Sequence, residues 1–391
     1  MGNCNFQPEF ENEHLTELNV AVTKNNFQYH YAIGKGGFGK VWKVERKKDK
    51  QLFAMKEMSK ARVLTKRSVN SVLNERKILS QLKHKQFHPL TNVMSSFIVN
   101  MQYAFQDREN LYLVMDLLNG GDLRYHIARF RRFSEEQTKF FIACILVSLE
   151  YVHNKSILHR DIKPENLVFD EKGYLRVTDF GIARIWNPEN SKETSGTPGY
   201  MAPEVMCRQN HGVAVDYFAV GVIAYECMMG RRPYVGKSRK EIRDHILAKQ
   251  VQIKRHEIPP GWSIEGADFI NKLIQRKPQN RLGLNGPNEV KNHPWLKSYP
   301  WQDLSQNFLK APFIPANKDN FDAANSNSEW KDQDEEGMQK SMILLRRDSV
   351  QELFNEYYYD ETFAALQSKY FANITSTSRN TAAAATTVVV K

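Results

Sequence analysis

The chain has 391 residues, 41% of them hydrophobic, enough to bury a sizeable core and to build two domains or one bilobal unit with tails. Its net charge of +11 arises from 55 Lys and Arg dispersed among 44 Asp and Glu, and that mixing argues against a nucleic-acid surface. The four cysteines, Cys4, Cys144, Cys207 and Cys227, show no CxxC pair and no zinc-like His spacing, which excludes a disulfide scaffold and points to a reducing, intracellular and cytoplasmic setting.

In chain order, residues 1–26 read as a flexible segment. Met1-Gly2-Asn3-Cys4 partly matches an acylation signal, with Gly2 open to a myristoyl group and Cys4 to a palmitoyl group. Two acyl chains would give peripheral membrane contact; an unmodified tail is the other reading. No basic region or apolar core precedes Phe27, so no signal peptide is expected.

A strand over 29–33 runs into Gly34-Lys35-Gly36-Gly37-Phe38-Gly39-Lys40-Val41. Glycines at these spacings let backbone N–H groups approach phosphates. A return strand follows, where a dinucleotide-binding unit would need a helix, so that unit is excluded. Lys56 lies in an alternating run over 52–58, and the helical spacing over 71–82 carries Glu75. An ion pair of Lys56 with Glu75 would hold the amine on phosphates. Residues 82–100 contain two candidate helix-to-strand junctions and read as a surface insertion of about ten residues, or as a sequence error.

Residues 111–115 form a buried-type strand, and 116–122 (Asp-Leu-Leu-Asn-Gly-Gly-Asp) is a polar link whose backbone can meet an adenine edge. The basic stretch 124–133 reads as a solvated helix face. A long apolar helix over 140–153 encloses Cys144, which is core rather than nucleophile. The apolar stretch 213–229 is interrupted by Asp216 and Glu226 and reads as a buried helix, not a membrane span.

Between these helices lie His159-Arg160-Asp161-Ile162-Lys163-Pro164-Glu165-Asn166, Asp179-Phe180-Gly181 and Ala202-Pro203-Glu204. Asp161 and Asn166, five apart around a proline-constrained turn, can aim a carboxylate at a hydroxyl nucleophile and an amide at a metal ion. Asp179, at the end of a strand, suits Mg2+ bridging of phosphate oxygens.

Over 27–301 these residues resemble a eukaryotic protein kinase. The resemblance implies an α+β, bilobal fold: a small β-rich N-lobe (about 27–115), a hinge (116–121) and a larger, mainly helical C-lobe (122–301). It implies a protein serine/threonine kinase using ATP and Mg2+, with Asp161 as catalytic base, Lys163 supporting the transferred phosphate, and Asn166 and Asp179 holding metal. It places Gly34, Gly36, Gly39, Val41, Ala54, Lys56, Glu75, Met115, Asp116, Leu118 and Asp122 at the nucleotide. Glu204 should pair with Arg281, and Asp216 should anchor the catalytic loop.

Within that family the chain resembles the AGC group, and 116–125 resembles its YANK branch. Residues 302–360 look like an AGC C-terminal tail, with Ala311-Pro312-Phe313-Ile314-Pro315, a nucleotide-reaching Phe321 in Asn320-Phe321-Asp322, and a hydrophobic motif at 354–359 that docks on the N-lobe. An amphipathic tail helix without a docking role is the alternative. Tyr358 stands where Ser or Thr is usual. Residues 361–391 are expected to be disordered.

Asp122, Glu165 and Glu226 match acidic positions that bind basic residues before the acceptor, and clustered carboxylates attract arginine. Protein substrates with such residues are expected, as are an upstream activating kinase and a monomeric state. Arg346-Arg347-Asp348-Ser349 is an internal candidate substrate. Arg160 is the usual partner of an activation-loop phosphate, but the matching place holds Glu193, so either that carboxylate substitutes for phosphate or Thr194 or Ser195 is phosphorylated instead. Thr197 should orient the catalytic loop. A pseudokinase or scaffold acting through tail and lobe interactions is the alternative function; a small-molecule kinase is disfavoured by the protein-substrate platform at 199–204.

Overall fold

The computed structural model describes residues 21–82, 86–87, 94–95, 97–316 and 335–361. Gly2 and Cys4, Asn320-Phe321-Asp322 and the chain from 362 onward lie outside the described residues. Two compact units are present: Met1–Thr65 with Met101–Met115 and Lys331–Lys391, and Lys66–Asn100 with Asp116–Trp330.

The first unit is built on a six-stranded sheet, in the order Phe27–Lys35, Gly39–Arg46, Leu52–Ser59, Asn110–Asp116, Met101–Gln106 and Tyr359–Asp360. Alternation in these strands sends Phe27, Val44, Phe53, Met55, Tyr103, Phe105, Tyr112 and Val114 into one aromatic-rich cluster. Phe105 and Tyr112 stack with ring centroids 4.9 Å apart. The last strand comes from the distant tail: Tyr359 and Asp360 pair antiparallel with Ala104 and Tyr103.

Just ahead of that strand, Phe354 and Tyr357 are fully buried. The Gln106 side chain donates to the Phe354 carbonyl at 2.8 Å, and Lys60 Nζ lies 5.0 Å from the Phe354 ring centroid. Lys60 itself is buried and donates to Asp107 O and Gln351 Oε1, both at 2.7 Å. The tail segment therefore docks on this unit, while Tyr358 stays exposed.

The second unit is mainly helical. Its helix Glu135–Asn154 begins with a capping box of Ser134 and Gln137. Cys144 lies fully buried within it, where burial pushes the thiol up. The helix Ala214–Met229 is buried on nearly every face and ends at Gly230, whose φ is 72°. Gln86–Phe87 and Met94–Ser95 pair as a two-residue ladder within the stretch 82–100.

The stretch 124–133 is not simply a solvated face. The helix Leu123–Phe130 buries Leu123, His126 and Ile127, and Phe313 packs on it with ring centroids 5.1 Å from His126 and 5.7 Å from Phe130. Apolar residues at helical spacing, masked in the sequence by four arginines, account for the difference.

Candidate active site

The first unit carries the glycine-rich turn. Gly36 N donates to Gly39 O at 2.8 Å, closing it. The three glycines are not equivalent: a Cβ on Gly39 would fall 1.7 Å from Glu57 O, whereas the nearest atom to one on Gly34 or Gly36 stands at 3.7 Å. Gly39 is thus required by strand packing, and the other two leave the turn open. Val41 lies opposite Lys56 in the ladder, Ala54 is buried, and Met115 pairs with Met101. Lys56 belongs to this unit and Glu75 to the other.

In the second unit Glu75 is buried on the helix Val69–Gln81. A Cβ on Gly181 would stand 3.7 Å from its Oε2 and 3.1 Å from Asp179 Oδ1. Asn74, beside it, donates to Ala183 O at 2.9 Å. Asp116 Oδ2 accepts from Asn100 Nδ2 at 2.9 Å. Leu118 is half-buried, and Asp122 caps the helix Leu123–Phe130 by accepting from Tyr125 N at 2.8 Å. Burial raises the Asp122 pKa.

Asp161 is fixed by groups from two stretches, its own loop and the segment around Thr197. Its Oδ1 accepts from Thr197 N at 3.1 Å and Thr197 Oγ1 at 2.7 Å; its Oδ2 accepts from Lys163 Nζ at 2.6 Å and Asn166 Nδ2 at 3.1 Å. Lys163 Nζ also donates to Thr197 Oγ1 at 3.0 Å. The carboxylate is therefore oriented before any ligand arrives. Asn166 uses its amide nitrogen on Asp161 and so presents its amide oxygen as an acceptor. Thr178 N donates to Asn166 O at 3.0 Å, tying the base of Asp179 to the same loop.

Arg160 and Asp179 hold φ of 66° and 62°. Non-glycine residues pay for that conformation, which is retained where surrounding contacts impose it. For Arg160 the contacts include Asp216: the Arg160 N–H donates to Oδ1 at 2.8 Å, His159 N to Oδ2 at 3.0 Å, and His153 Nε2 to Oδ2 at 2.8 Å. Burial works to raise the Asp216 carboxyl, but these donors hold it below its ordinary value.

Glu204 and Arg281 form a buried two-point pair at 2.6 and 2.9 Å. Arg281 also donates to the carbonyls of Gln275 and Ala214, and its guanidinium lies 4.9 Å from the Phe218 ring centroid. Arg160 pairs with Glu193.

A second cluster joins two of the acidic residues expected to bind a basic substrate, Glu165 and Glu226, to Arg124 and Tyr200, which the sequence does not tie to them. Arg124 donates from Nε to Glu165 Oε1 at 2.9 Å, and to both oxygens of Glu226 at 2.9 and 3.1 Å. Tyr200 donates to Glu226 Oε2 at 2.6 Å and also contacts Arg124. Burial works to lower the Arg124 pKa, but Glu226 outweighs it and holds the guanidinium above its ordinary value. Arg124 and Glu226 are 102 residues apart, so no local spacing signals the pair.

Asp179 and Asn166 are donors suited to Mg2+. This ion takes few protein ligands and completes its shell with waters and phosphate oxygens. Among the described residues no three His, Cys, Asp or Glu groups form a ready metal cage, and the Asp179–Asn166 pair fits the sparser arrangement.

Comparison with known proteins places these observations. Residues 27–296 match the protein kinase domain family. A probable serine/threonine-protein kinase of Dictyostelium discoideum is 35% identical over 84% of this chain and 70% of its own length. Serine/threonine-protein kinase sgk-1 of Caenorhabditis elegans is 38% identical over 79% of this chain and 64% of its own length. Serine/threonine-protein kinase Sgk3 of Rattus norvegicus is 36% identical, with 78% and 60% covered. The chain belongs to the protein kinase family, among serine/threonine kinases of the AGC type. It spans between 60% and 70% of the length of these three relatives.

Proposed function

We propose that the chain is a protein serine/threonine kinase that moves the γ-phosphoryl group of ATP to a Ser or Thr hydroxyl. The observation that carries this reading is the four-donor cradle around Asp161, formed by Thr197 N and Oγ1, Lys163 Nζ and Asn166 Nδ2. A carboxylate held this way can accept the proton of an incoming hydroxyl without reorienting. Lys163, 2.6 Å from that carboxylate, brings a positive charge to where a transferred phosphate develops negative charge.

In the second unit Asn166 and Asp179 would hold Mg2+, and in the first Gly34, Gly36 and Lys56 would face phosphates. Bound Mg-ATP supplies the phosphoryl group and neutralises its charge. Thr197 joins Lys163 and Asp161 in one network, so acceptor-side and phosphate-side groups are positioned together. Asp216 supports the loop by fixing the backbone of His159 and Arg160.

The test is transfer of labelled γ-phosphate from Mg-ATP to a Ser-containing peptide by the full chain and by Asp161→Asn. The expected loss in kcat is about 10²–10⁴-fold, the usual worth of a positioned general base. Equal rates would remove the enzymatic reading, and nucleotide binding without turnover in the parent would favour the pseudokinase.

A further inference from the structure

The carboxylates expected to select a basic residue before the acceptor are already engaged. Glu226 is nearly fully buried, and both of its oxygens have donors: Oε1 takes Arg124 NH1, and Oε2 takes Arg124 NH2 and the Tyr200 hydroxyl. This fork is the geometry an incoming arginine would use. Glu165 accepts the Nε of the same arginine. The Arg124 guanidinium therefore occupies, from within the chain, the place a substrate guanidinium would take.

Charge points the same way. Arg232 lies 5.8 Å from the Tyr200 ring centroid, and Arg124 lies 6.0 Å from it. A Cβ on Gly199 would meet Arg232 NH1 at 2.1 Å, so this second guanidinium sits directly on the 199–204 segment. Glu165 and Glu226 contribute two negative charges, and Arg124 and Arg232 two positive ones. These four charges balance, which leaves Asp122, whose Oδ1 caps Tyr125 N, as the one unbalanced acid of the three expected to draw a basic peptide.

We propose that Arg124 is a specificity-determining residue that closes Glu226 to a substrate arginine, so that the enzyme phosphorylates Ser or Thr without requiring arginine upstream. An arriving arginine must displace Arg124 and gains only the exchange of one guanidinium for another. This inference rests on the kinase reading above and states which substrates that activity accepts.

The experiment uses the full chain, Mg-ATP and a set of Ser peptides, identical except for Arg or Ala at each of the four positions before the acceptor. The Arg/Ala ratio of kcat/KM is measured for the parent and for Arg124→Ala. Because the ratio is independent of the fraction of enzyme that is active, partial loss of fold does not disturb it. The expected ratio is below about 3 for the parent at every position and above about 10 at one or more positions for the variant, since removal of Arg124 frees a buried carboxylate. Arg124→Gln, which keeps a neutral donor beside Glu226, serves if the alanine variant does not fold, and should give an intermediate ratio. A parent ratio above about 10, or variants with the parent's ratio, would overturn the proposal while leaving the kinase intact. Phosphorylation of no peptide by any form would overturn the kinase reading and this inference with it.

Discussion

The carboxylate of Glu193 accepts from the Arg160 guanidinium, whose Nε and remaining terminal nitrogen both donate to Ile182 O, at 2.9 and 2.6 Å. Arg160 is thus a strut joining the catalytic loop to two points of the segment after Asp179. Its own side chain is 3% exposed and that of Glu193 39%.

A built-in carboxylate should relieve the enzyme of a phosphate at this place. Treatment with a protein phosphatase should leave kcat/KM within about twofold, and Glu193→Gln should lower it about tenfold, the worth of one charge-assisted hydrogen bond. Loss of activity on phosphatase treatment, restored by modification of Thr194 or Ser195 in a mass spectrum, would show that a phosphate is needed after all.

Arg281 and Glu204 set a second expectation. Removing one partner of a buried pair leaves the other charge uncompensated, at a cost of about 3–5 kcal/mol. Arg281→Met should lower the urea midpoint of the full chain by a corresponding amount. The double substitution Arg281→Met with Glu204→Met should recover part of the loss, because no isolated charge then remains. A double variant less stable than the single one would contradict this account.

His126 gives the fold a pH dependence. Its Nε2 donates to Gly120 O at 2.7 Å, and its Nδ1 is buried without a hydrogen-bond partner. Burial lowers its pKa below the ordinary value of 6.5; Gly120 O and Asp122 act in the opposite sense, and Arg129 adds to the lowering. The unfolded chain then binds the extra proton more readily, so this contribution to stability is complete above 6.5 and is lost as pH falls beneath it. Comparing urea unfolding of the parent with His126→Phe between pH 7.5 and 5.5 should show a steeper acid-side loss in the parent. Parallel slopes would exclude His126 as the source.

Phe354 and Tyr358 separate docking from display. Phe354 is fully buried and Tyr358 is 40% exposed. Phe354→Ala should cost about 3–5 kcal/mol, as truncation of a buried aromatic does, whereas Tyr358→Phe should stay within about 0.5 kcal/mol. Both are read from urea midpoints of the full chain, and equal small effects would mean that the tail is not seated on the sheet in solution.

The sequence made legible those parts of the molecule whose chemistry is encoded over short spans. Asp161, Lys163 and Asn166 lie within six residues, so their convergence needed only a turn. Glu204, Arg281 and Asp216 were legible because each sits in a family pattern that names its partner. Of the Arg124 cluster only the carboxylates Glu165 and Glu226 were legible, because its members come from four separated stretches and an arginine on a short basic helix has no mark of being held. His126 and Phe313 were hidden similarly: the helix Leu123–Phe130 carries two arginines and is followed by two more, and its apolar face is completed by a residue far along the chain.

The strand Tyr359–Asp360 gives the tail a protective role. Without it, Met101–Gln106 would be the outermost strand of the sheet, with unpaired backbone groups open to pairing with another chain. With that rim covered by the tail, a form cut short before residue 345 should elute as larger assemblies than the full chain on size-exclusion chromatography, even where Asp161 and Lys163 are intact.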